Sequence, residues 1–432
     1  MVKFLHISDI HLGFDRYDSK VRSLDFFYAL QDVLKKYAID ESVDFVLIGG
    51  DLFEHRNIKP GVLNQAQLCF QMLKEANIPV LAIEGNHDNA PFGTKSSWLR
   101  YLSDWKLIKL LEPGSANRGE PFYSAWDEET LRGGYIDMPC GVRVLGSSWY
   151  GAAAPRAIEQ IAEAIGELPP APGPSILMFH HGLEGQIARY SGALRYTEVL
   201  PLKKAGVNYL ALGHIHKNYE EEGWIFNPGS LEANNVEEGQ FKRGAYLIEI
   251  DKSGKISAEL KTDYQQRKIV RLKLKMRTQD QLEAVAENAE TLIKKAIKSK
   301  EIVPDEQPIV ELWITGTVGF DRLELDTRAL QSNLKTLCGA LILLLRYDVN
   351  EAAYESPIAD EASRLQVEQE VFTDLLAANA NYKKRAERLA QGLIDLKDRQ
   401  MAGENEEHLY EFVEKILIEK DEGTKSVNGT SE

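Results

Sequence analysis

Asp44-Phe45-Val46-Leu47-Ile48-Gly49-Gly50-Asp51 is an apolar run that stops abruptly at two glycines and a carboxylate. A short continuous run of this kind, rich in β-branched and aromatic residues, reads as a buried strand. Four further segments share the pattern. Val2 to Ile7 leads into Asp9-Ile10-His11, and Pro79 to Ile83 into Gly85-Asn86-His87-Asp88. Ser175 to Phe179 leads into His180-His181, and Tyr209 to Leu212 into Gly213-His214-Ile215-His216. Helical amphipathic patterns follow the first three runs, at Leu24 to Tyr37, Pro60 to Ala76 and Lys95 to Leu102. Strand alternating with helix predicts a largely parallel, layered α/β sheet. In such folds the loops beyond the carboxyl ends of the strands meet in one crevice, so polar residues far apart in sequence should gather there.

Those loop residues share one chemistry. Carboxylate, amide oxygen and imidazole nitrogen are hard or borderline donors, the mixture that a pair of divalent ions on a phosphate requires. A lone Asp-x-His tripeptide is a chance occurrence more often than a site. The set is different: of 9 histidines all but His408 lie at or before position 216, and six of those eight fall inside the motifs. His6, within the first strand, fits a packed core histidine better than a ligand.

The order and content of these motifs resemble the calcineurin-like metallophosphoesterases. Longer runs narrow the resemblance to the SbcD-type DNA repair nucleases, the bacterial and archaeal counterparts of the nuclease subunit of the Mre–Rad complex. These are Phe4 to Gly13, Gly50-Asp51-Leu52-Phe53, Leu212 to Lys217 and Asn227-Pro228-Gly229-Ser230-Leu231-Glu232. The likeness covers about the first 265 residues; beyond them it is one of layout. It implies a layered metallophosphoesterase sheet sandwich flanked by helices, with a small α+β cap domain and a C-terminal helical segment. It implies that Asp9, His11, Asp51 and His216 hold one metal ion and that Asn86, His180 and His214 hold the other, with Asp51 bridging. His87 would be the catalytic histidine. Two ions roughly 3.5–4 Å apart bind both non-bridging phosphate oxygens and lower the pKa of a bound water. The sugar oxygen of a diester leaves poorly, so a histidine beside the metals would assist it. Asp88 is expected either to orient His87 through its second ring nitrogen or to serve as a helix-start residue. His181, next to a ligand, could touch substrate. Archaeal members carry a further histidine three residues after the bridging aspartate, where this chain has Glu54 followed by His55. That departure bears on strand positioning and endonucleolytic activity rather than on metal binding.

At 432 residues, with 44% hydrophobic and 27% charged residues, the chain has the composition of an ordinary soluble protein. Three unpatterned cysteines indicate a reducing compartment. The first run feeds directly into Asp9, so the start does not read as a signal peptide, and the apolar run Ala340 to Leu345 is too short to span a membrane. A cytoplasmic location is expected.

The net charge of −15 speaks against a nucleic-acid partner, yet residues 268–300 hold nine Lys/Arg against four Asp/Glu. Arg271, Lys273, Lys275 and Arg277 alternate with Leu272, Leu274 and Met276, which would give a strand one wholly basic face. Two readings stay open for that face: simple solvation, or contact with a phosphate backbone.

Four segments are expected: a dinuclear nuclease domain over 1–265, an α+β cap over 266–350, a helical partner-docking segment over 351–420, and a disordered tail over 421–432. The cap pattern is strand 268–276, helix 279–299, strand 308–317, helix 326–338 and strand 340–347. Apolar stripes at Leu365 to Leu376, Leu389 to Leu396 and Leu409 to Ile416 await either their own core or a partner. The resemblance favours a large SbcC-like ABC-type ATPase with a long coiled coil, and it allows a homodimer. The expected activity is a manganese-type dinuclear nuclease, with Mg2+ or Fe2+ as other candidates, hydrolysing DNA phosphodiesters in double-strand-break repair. The alternative is a small-molecule phosphodiesterase or phosphoprotein phosphatase. Against the phosphatase, Glu84 precedes Gly85-Asn86-His87 where such enzymes use an arginine.

Overall fold

A computed structural model describes residues 1–114, 120–187, 192–351, 364–378 and 382–418. Two six-stranded sheets form the centre of the larger unit. In the first, β1 (Val2–Ile7), β2 (Phe45–Ile48), β3 (Val80–Ala82) and β4 (Lys109–Leu110) run parallel, and β11 (Ala245–Ile250) joins antiparallel to β1 with β12 (Ile256–Lys261) outside it. In the second, β6 (Arg143–Leu145), β7 (Ser175–His180), β8 (Val207–Gly213) and β10 (Ile225–Asn227) are parallel. Its edges are β5 (Tyr135–Asp137) and β9 (Tyr219–Glu221), both antiparallel.

The apolar runs are continuous because each central strand is buried on both faces. Phe4, Phe45, Leu47 and Leu81 face Ile176, Met178, Tyr209 and Phe226 across the space between the sheets. Aromatic stacking marks this layer, with Phe4 and Phe45 at 4.9 Å and Tyr209 and Phe226 at 4.7 Å. The alternate residues Leu5, Ile7, Val46 and Ile48 turn outward against α1 (Lys20–Val33), α2 (Pro60–Glu75) and α3 (Trp98–Asp104). Leu177, Phe179, Leu210 and Leu212 do the same against α4 (Ala154–Gly166) and α5 (Tyr196–Lys204). The outcome is a helix–sheet–sheet–helix sandwich. The helix expected from Leu24 begins at Lys20, capped by the Ser19 side chain, and continues as a π-helical turn, Leu34–Ile39.

Next comes a three-stranded sheet, β13 (Ile269–Met276), β14 (Ile309–Val318) and β15 (Ile342–Glu351), with β13 and β14 parallel, and its helices α6 (Leu282–Lys298) and α7 (Thr327–Cys338). Residues 1–276, 280–316 and 323–349 pack as one unit. A buried ionic cluster fastens the entry to β13. Arg267 donates to the Asp25 carboxylate and to the carbonyls of Glu306 and Gln307, while its backbone N–H meets Glu232. Glu232, fully buried, also lies beside Arg22 and Arg243.

The basic face of β13 is not wholly basic at the level of the sheet. Arg271 pairs with Glu311 at 2.6 Å, and Lys273 and Arg346 flank the Trp313 ring at 5.1 and 4.7 Å. Trp313 in turn donates to Asp348. The alternation along one strand is visible in the sequence, but the register that brings acids from β14 and β15 alongside is not.

The second unit holds residues 277–279, 317–322 and 350 onward. Within it α8 (Arg364–Ala377), α9 (Ala386–Met401) and α10 (Glu406–Ile418) pack together. Arg399 lies over the Phe412 ring at 4.0 Å, and Leu389, Ala390 and Ile394 are buried. Val371, Leu375, Leu393, Tyr410 and Leu417 stay exposed. The expected disordered tail 421–432 lies outside the described residues, as do the side chains of Leu365 and Ile418 at the ends of the expected stripe. Among the described residues no helix is long and apolar enough to cross a membrane.

Candidate metal centre

Every predicted ligand leaves the carboxyl end of a parallel strand or the loop directly after it. Backbone bonds zip the first two loops together: Asp9 N–H donates to Gly50 O, and the N–H groups of Ile10 and His11 donate to Asp51 O. Asp9, His11 and Asp51 have φ of 52°, 53° and 52°, and His214 has 85°. Left-handed backbone at non-glycine residues costs energy, and its concentration here marks a site that the surrounding fold enforces. Two glycines make the approach feasible. A side chain at Gly85 would collide with Asp51, and one at Gly50, with φ of 97°, would collide with the His180 ring.

The predicted ligands form two donor sets, and a third group joins His11 to Glu54 and His87. Asp9, His11 and His216 offer atoms all within 4.8 Å of one another, and so do Asp51, His180 and His214. The Asn86 side-chain oxygen joins the second set, 3.2 Å from His180 Nε2 and 2.9 Å from His214 Nδ1. The sets interlock, because both oxygens of the Asp9 carboxylate accept from the His214 backbone N–H at 3.0 Å.

Ring orientation decides what these sets can bind. His180 Nδ1 donates to the Gly49 carbonyl at 2.7 Å, since a carbonyl can only accept. His216 Nδ1 faces Glu238 at 3.1 Å, and His11 Nδ1 faces Glu54 at 2.8 Å, a close contact off the line of an ideal hydrogen bond. The acceptors behind the Nδ1 atoms of His180 and His216 hold the proton there, and the negative charge of Glu54 beside His11 Nδ1 favours the same tautomer, which turns each Nε2 inward. His11 Nε2 and His216 Nε2 thus confront each other at 3.1 Å. Two lone pairs so placed repel unless a cation lies against them, so the residues present fit divalent ions.

Without ions, protons take that place. Burial alone would lower His180, but the facing Asp51 raises it to about 9. His216 is raised to about 9 against its own burial by the hydrogen bond to Glu238. Asp51 is held well below the usual carboxylate range: burial opposes this, and the His180 charge overcomes it. His214 is lowered to about 4, chiefly by burial.

His87 sits beside both sets. Its backbone N–H donates to Asp51 Oδ1 at 2.9 Å, and its ring Nδ1 donates to the Glu54 carbonyl at 2.6 Å. Asp88 fills neither role expected of it, because the His87 Nδ1 is held by the Glu54 carbonyl and no helix starts at Asp88. Its buried carboxylate accepts from the backbone N–H groups of Leu52, Phe53 and Gly85 at 3.2, 3.1 and 3.0 Å, a clamp that ties the Gly85–Asp88 loop to the loop after β2. His181 is buried, with its ring stacked on Trp149 at 5.8 Å. His6 is a core residue, between Tyr209 OH at 2.9 Å and Leu212 O at 3.0 Å.

Sequence reasoning missed several supporting groups. Glu238 and Glu54 orient ligand imidazoles, and Trp149 packs against His180 and His214. Asn227 shapes the His214–His216 loop by donating to the carbonyls of Ile215 and Lys217. The Asn227-Pro228-Gly229 motif is the available signal for the last; nothing local marks Glu238.

Residues 2–218 match the model of the calcineurin-like phosphoesterase family, half of the chain. This chain belongs to that family. The family hydrolyses phosphate esters with divalent metal ions, which the two donor sets of this phosphoesterase suit. It is similar to three archaeal proteins named DNA double-strand break repair protein Mre11. That of Archaeoglobus fulgidus is 32% identical over 55% of this chain and 52% of its own length. That of Saccharolobus solfataricus is 30% identical over 64% of this chain and 67% of its own, and that of Sulfolobus acidocaldarius 28% identical over 73% and 76%. The phosphoesterase thus spans about half the length of the Archaeoglobus relative.

Proposed function

We propose that this phosphoesterase is a metal-dependent DNA nuclease of double-strand-break repair, cytoplasmic, loaded with manganese and working with an SbcC-like ATPase. The observation that carries the chemistry is the pair of imidazole Nε2 atoms turned inward 3.1 Å apart, each ring with a carboxylate beside its Nδ1. Similarity to proteins named for double-strand-break repair supports DNA as the substrate. Asp9, His11 and His216 would hold one ion and Asn86, His180 and His214 the other, with Asp51 shared. When bound, the pair supplies charge to the phosphate oxygens and a hydroxide from water at neutral pH.

The chain's own residues do the rest. His87 keeps Nδ1–H on the Glu54 carbonyl, so its exchangeable proton is the one on Nε2. In the imidazolium form that proton passes to the sugar oxygen as it leaves, and the carbonyl behind Nδ1 stabilises the charged ring. Glu54 therefore serves through its backbone as well as its carboxylate. Asp88 keeps the loop that carries Asn86 and His87 in place. Exposed Val371, Leu375, Leu393 and Tyr410 on the C-terminal helices support a docking role toward the ATPase.

Of the two alternatives, a small-molecule phosphodiesterase and a phosphoprotein phosphatase, the phosphatase is disfavoured by Glu84. Burial raises its carboxyl to about 7, and it supplies no cation where a monoester dianion would need one. The deciding experiment compares substrates side by side in Mn2+, Mg2+ and Fe2+: linear DNA, phosphoserine peptide and cyclic nucleotide. DNA hydrolysis is expected to exceed the others, with binding that weakens as salt rises. Robust phosphopeptide turnover without DNA cleavage would favour the phosphatase.

A further inference from the structure

Between Asp88 and α3 the chain passes over Phe92, which is 85% exposed although most of the phosphoesterase's aromatic rings are packed. One face of that ring is covered by the Arg56 guanidinium, 4.8 Å from the centroid. The Arg56 backbone is held in place, since its carbonyl accepts from Trp98 Nε1 at 3.0 Å. No carboxylate pairs with Arg56 among the described residues, whereas its neighbour His55 is paired with Asp15 at 3.1 Å. Arg56 also lines a cleft of about 490 Å³ with Glu54, His55, Asn57, Asn86 and His87. The cleft therefore runs from the catalytic histidine to an unpaired cation, and the cation leads to an aromatic ring with one face open to solvent.

Single exposed apolar residues are common, but this ring lies against a cation that lines the cleft of the catalytic histidine. A nucleobase is flat, stacks on any π-face without regard to its identity, and carries a phosphate on either side for a neighbouring cation. We propose, resting on the nuclease reading, that Phe92 and Arg56 form a platform on which the base next to the scissile phosphate stacks, with Arg56 beside the adjoining phosphate. Bases in a duplex are already stacked and paired, and freeing one costs a few kcal/mol. The platform thus selects single-stranded or frayed ends. It also explains how a chain with Glu54 in place of a histidine can hold its substrate strand: the next three residues, His55, Arg56 and Asn57, form the cleft wall.

The test is an abasic scan. Short single-stranded oligonucleotides, each lacking one base at a stepped position around the cut, are hydrolysed by the parent, Phe92→Ala and Phe92→Trp in Mn2+. At one position loss of the base is expected to lower kcat/KM of the parent about tenfold, the order of a single base–aromatic stack. Phe92→Ala should then cleave intact and abasic strands at equal rates, both close to the parent's rate on the abasic strand. Phe92→Trp should retain the position dependence. The platform is overturned if the parent is indifferent to every abasic position, or if Phe92→Ala keeps the parent's tenfold loss. A parent that does not cleave DNA at all overturns the nuclease reading and the platform together, whereas cleavage with an unaltered scan in Phe92→Ala overturns the platform alone.

Discussion

His11 Nε2 and His216 Nε2 face each other at 3.1 Å, and behind each ring stands a glutamate, Glu54 at 2.8 Å and Glu238 at 3.1 Å. The pairs act as one device, in which the carboxylates hold the protons outward so that the inner nitrogens can bind a cation. Removing the negative charge behind His216 weakens that hold. Glu238→Gln is therefore expected to reduce Mn2+ affinity by roughly 10- to 100-fold, the usual cost of losing a group that orients a metal-bound histidine. Calorimetric titration of the metal-free protein checks this. Parental affinity in the variant would show that Glu238 does not act through His216.

Protons must leave when metal enters. His180 and His216 are both raised to about 9 in the metal-free protein, so at neutral pH each carries a charge that a metal ligand cannot keep. The sign follows: affinity should rise with pH up to about 9 and level off above it, and fall with acid. Two displaced protons correspond to as much as roughly 100-fold per pH unit, one to about tenfold. Titration in two buffers of different ionisation enthalpy counts the protons directly. Binding heats that do not depend on the buffer would contradict the charged state assigned to these rings.

Asp88 is a clamp for the backbone and should behave as one. Asp88→Ala leaves the N–H groups of Leu52, Phe53 and Gly85 buried without their acceptor, each worth about 1–3 kcal/mol. A loss of several kcal/mol is a large share of the ~5–15 kcal/mol that holds a typical domain together. Urea unfolding should show it, with Asp88→Asn losing less because one acceptor oxygen remains. Unchanged stability in Asp88→Ala together with lost activity would return Asp88 to a direct chemical role.

The gathering of the candidate ligands is legible in the sequence because buried strands cannot tolerate clustered polar residues at their ends without a reason, and five such ends agree on one chemistry. The layered sheets are legible for the same cause: Phe45 to Ile48 is apolar on both faces since one face meets the second sheet and the other the helices. What stays hidden depends on contacts between distant segments. Glu238 lies 22 positions beyond His216 in an unremarkable acidic stretch, and only the folded loop turns it onto the ring. The orienting role expected of Asp88 passes to Glu54 for a related reason. A carboxylate beside His87 suggests an ion pair in sequence, but the strand-end loop spends Asp88 on three N–H groups and offers the Glu54 carbonyl instead. The short strands β4, β5, β9 and β10, of two or three residues each, carry too few positions for any period to be read.

The C-terminal helices pose a separable question, because they pack with one another in a unit of their own. Truncation after residue 351 should leave a soluble protein that still hydrolyses a simple diester but no longer co-purifies with an SbcC-like ATPase, since a docking segment supplies interface rather than core. Aggregation of the truncated chain would assign the helices to the core instead. A soluble, active truncation that still captured the ATPase would refute the docking role.

On the proposed assignment Asp51 serves the metals and His87 serves the chemistry. Bound manganese and DNA turnover measured together on the parent, Asp51→Asn and His87→Asn test it most directly. Two ions per chain are expected in the parent, depleted metal and no turnover in Asp51→Asn, and full metal with turnover lowered about 10²- to 10⁴-fold in His87→Asn. Two ions undiminished in Asp51→Asn with activity retained would contradict it.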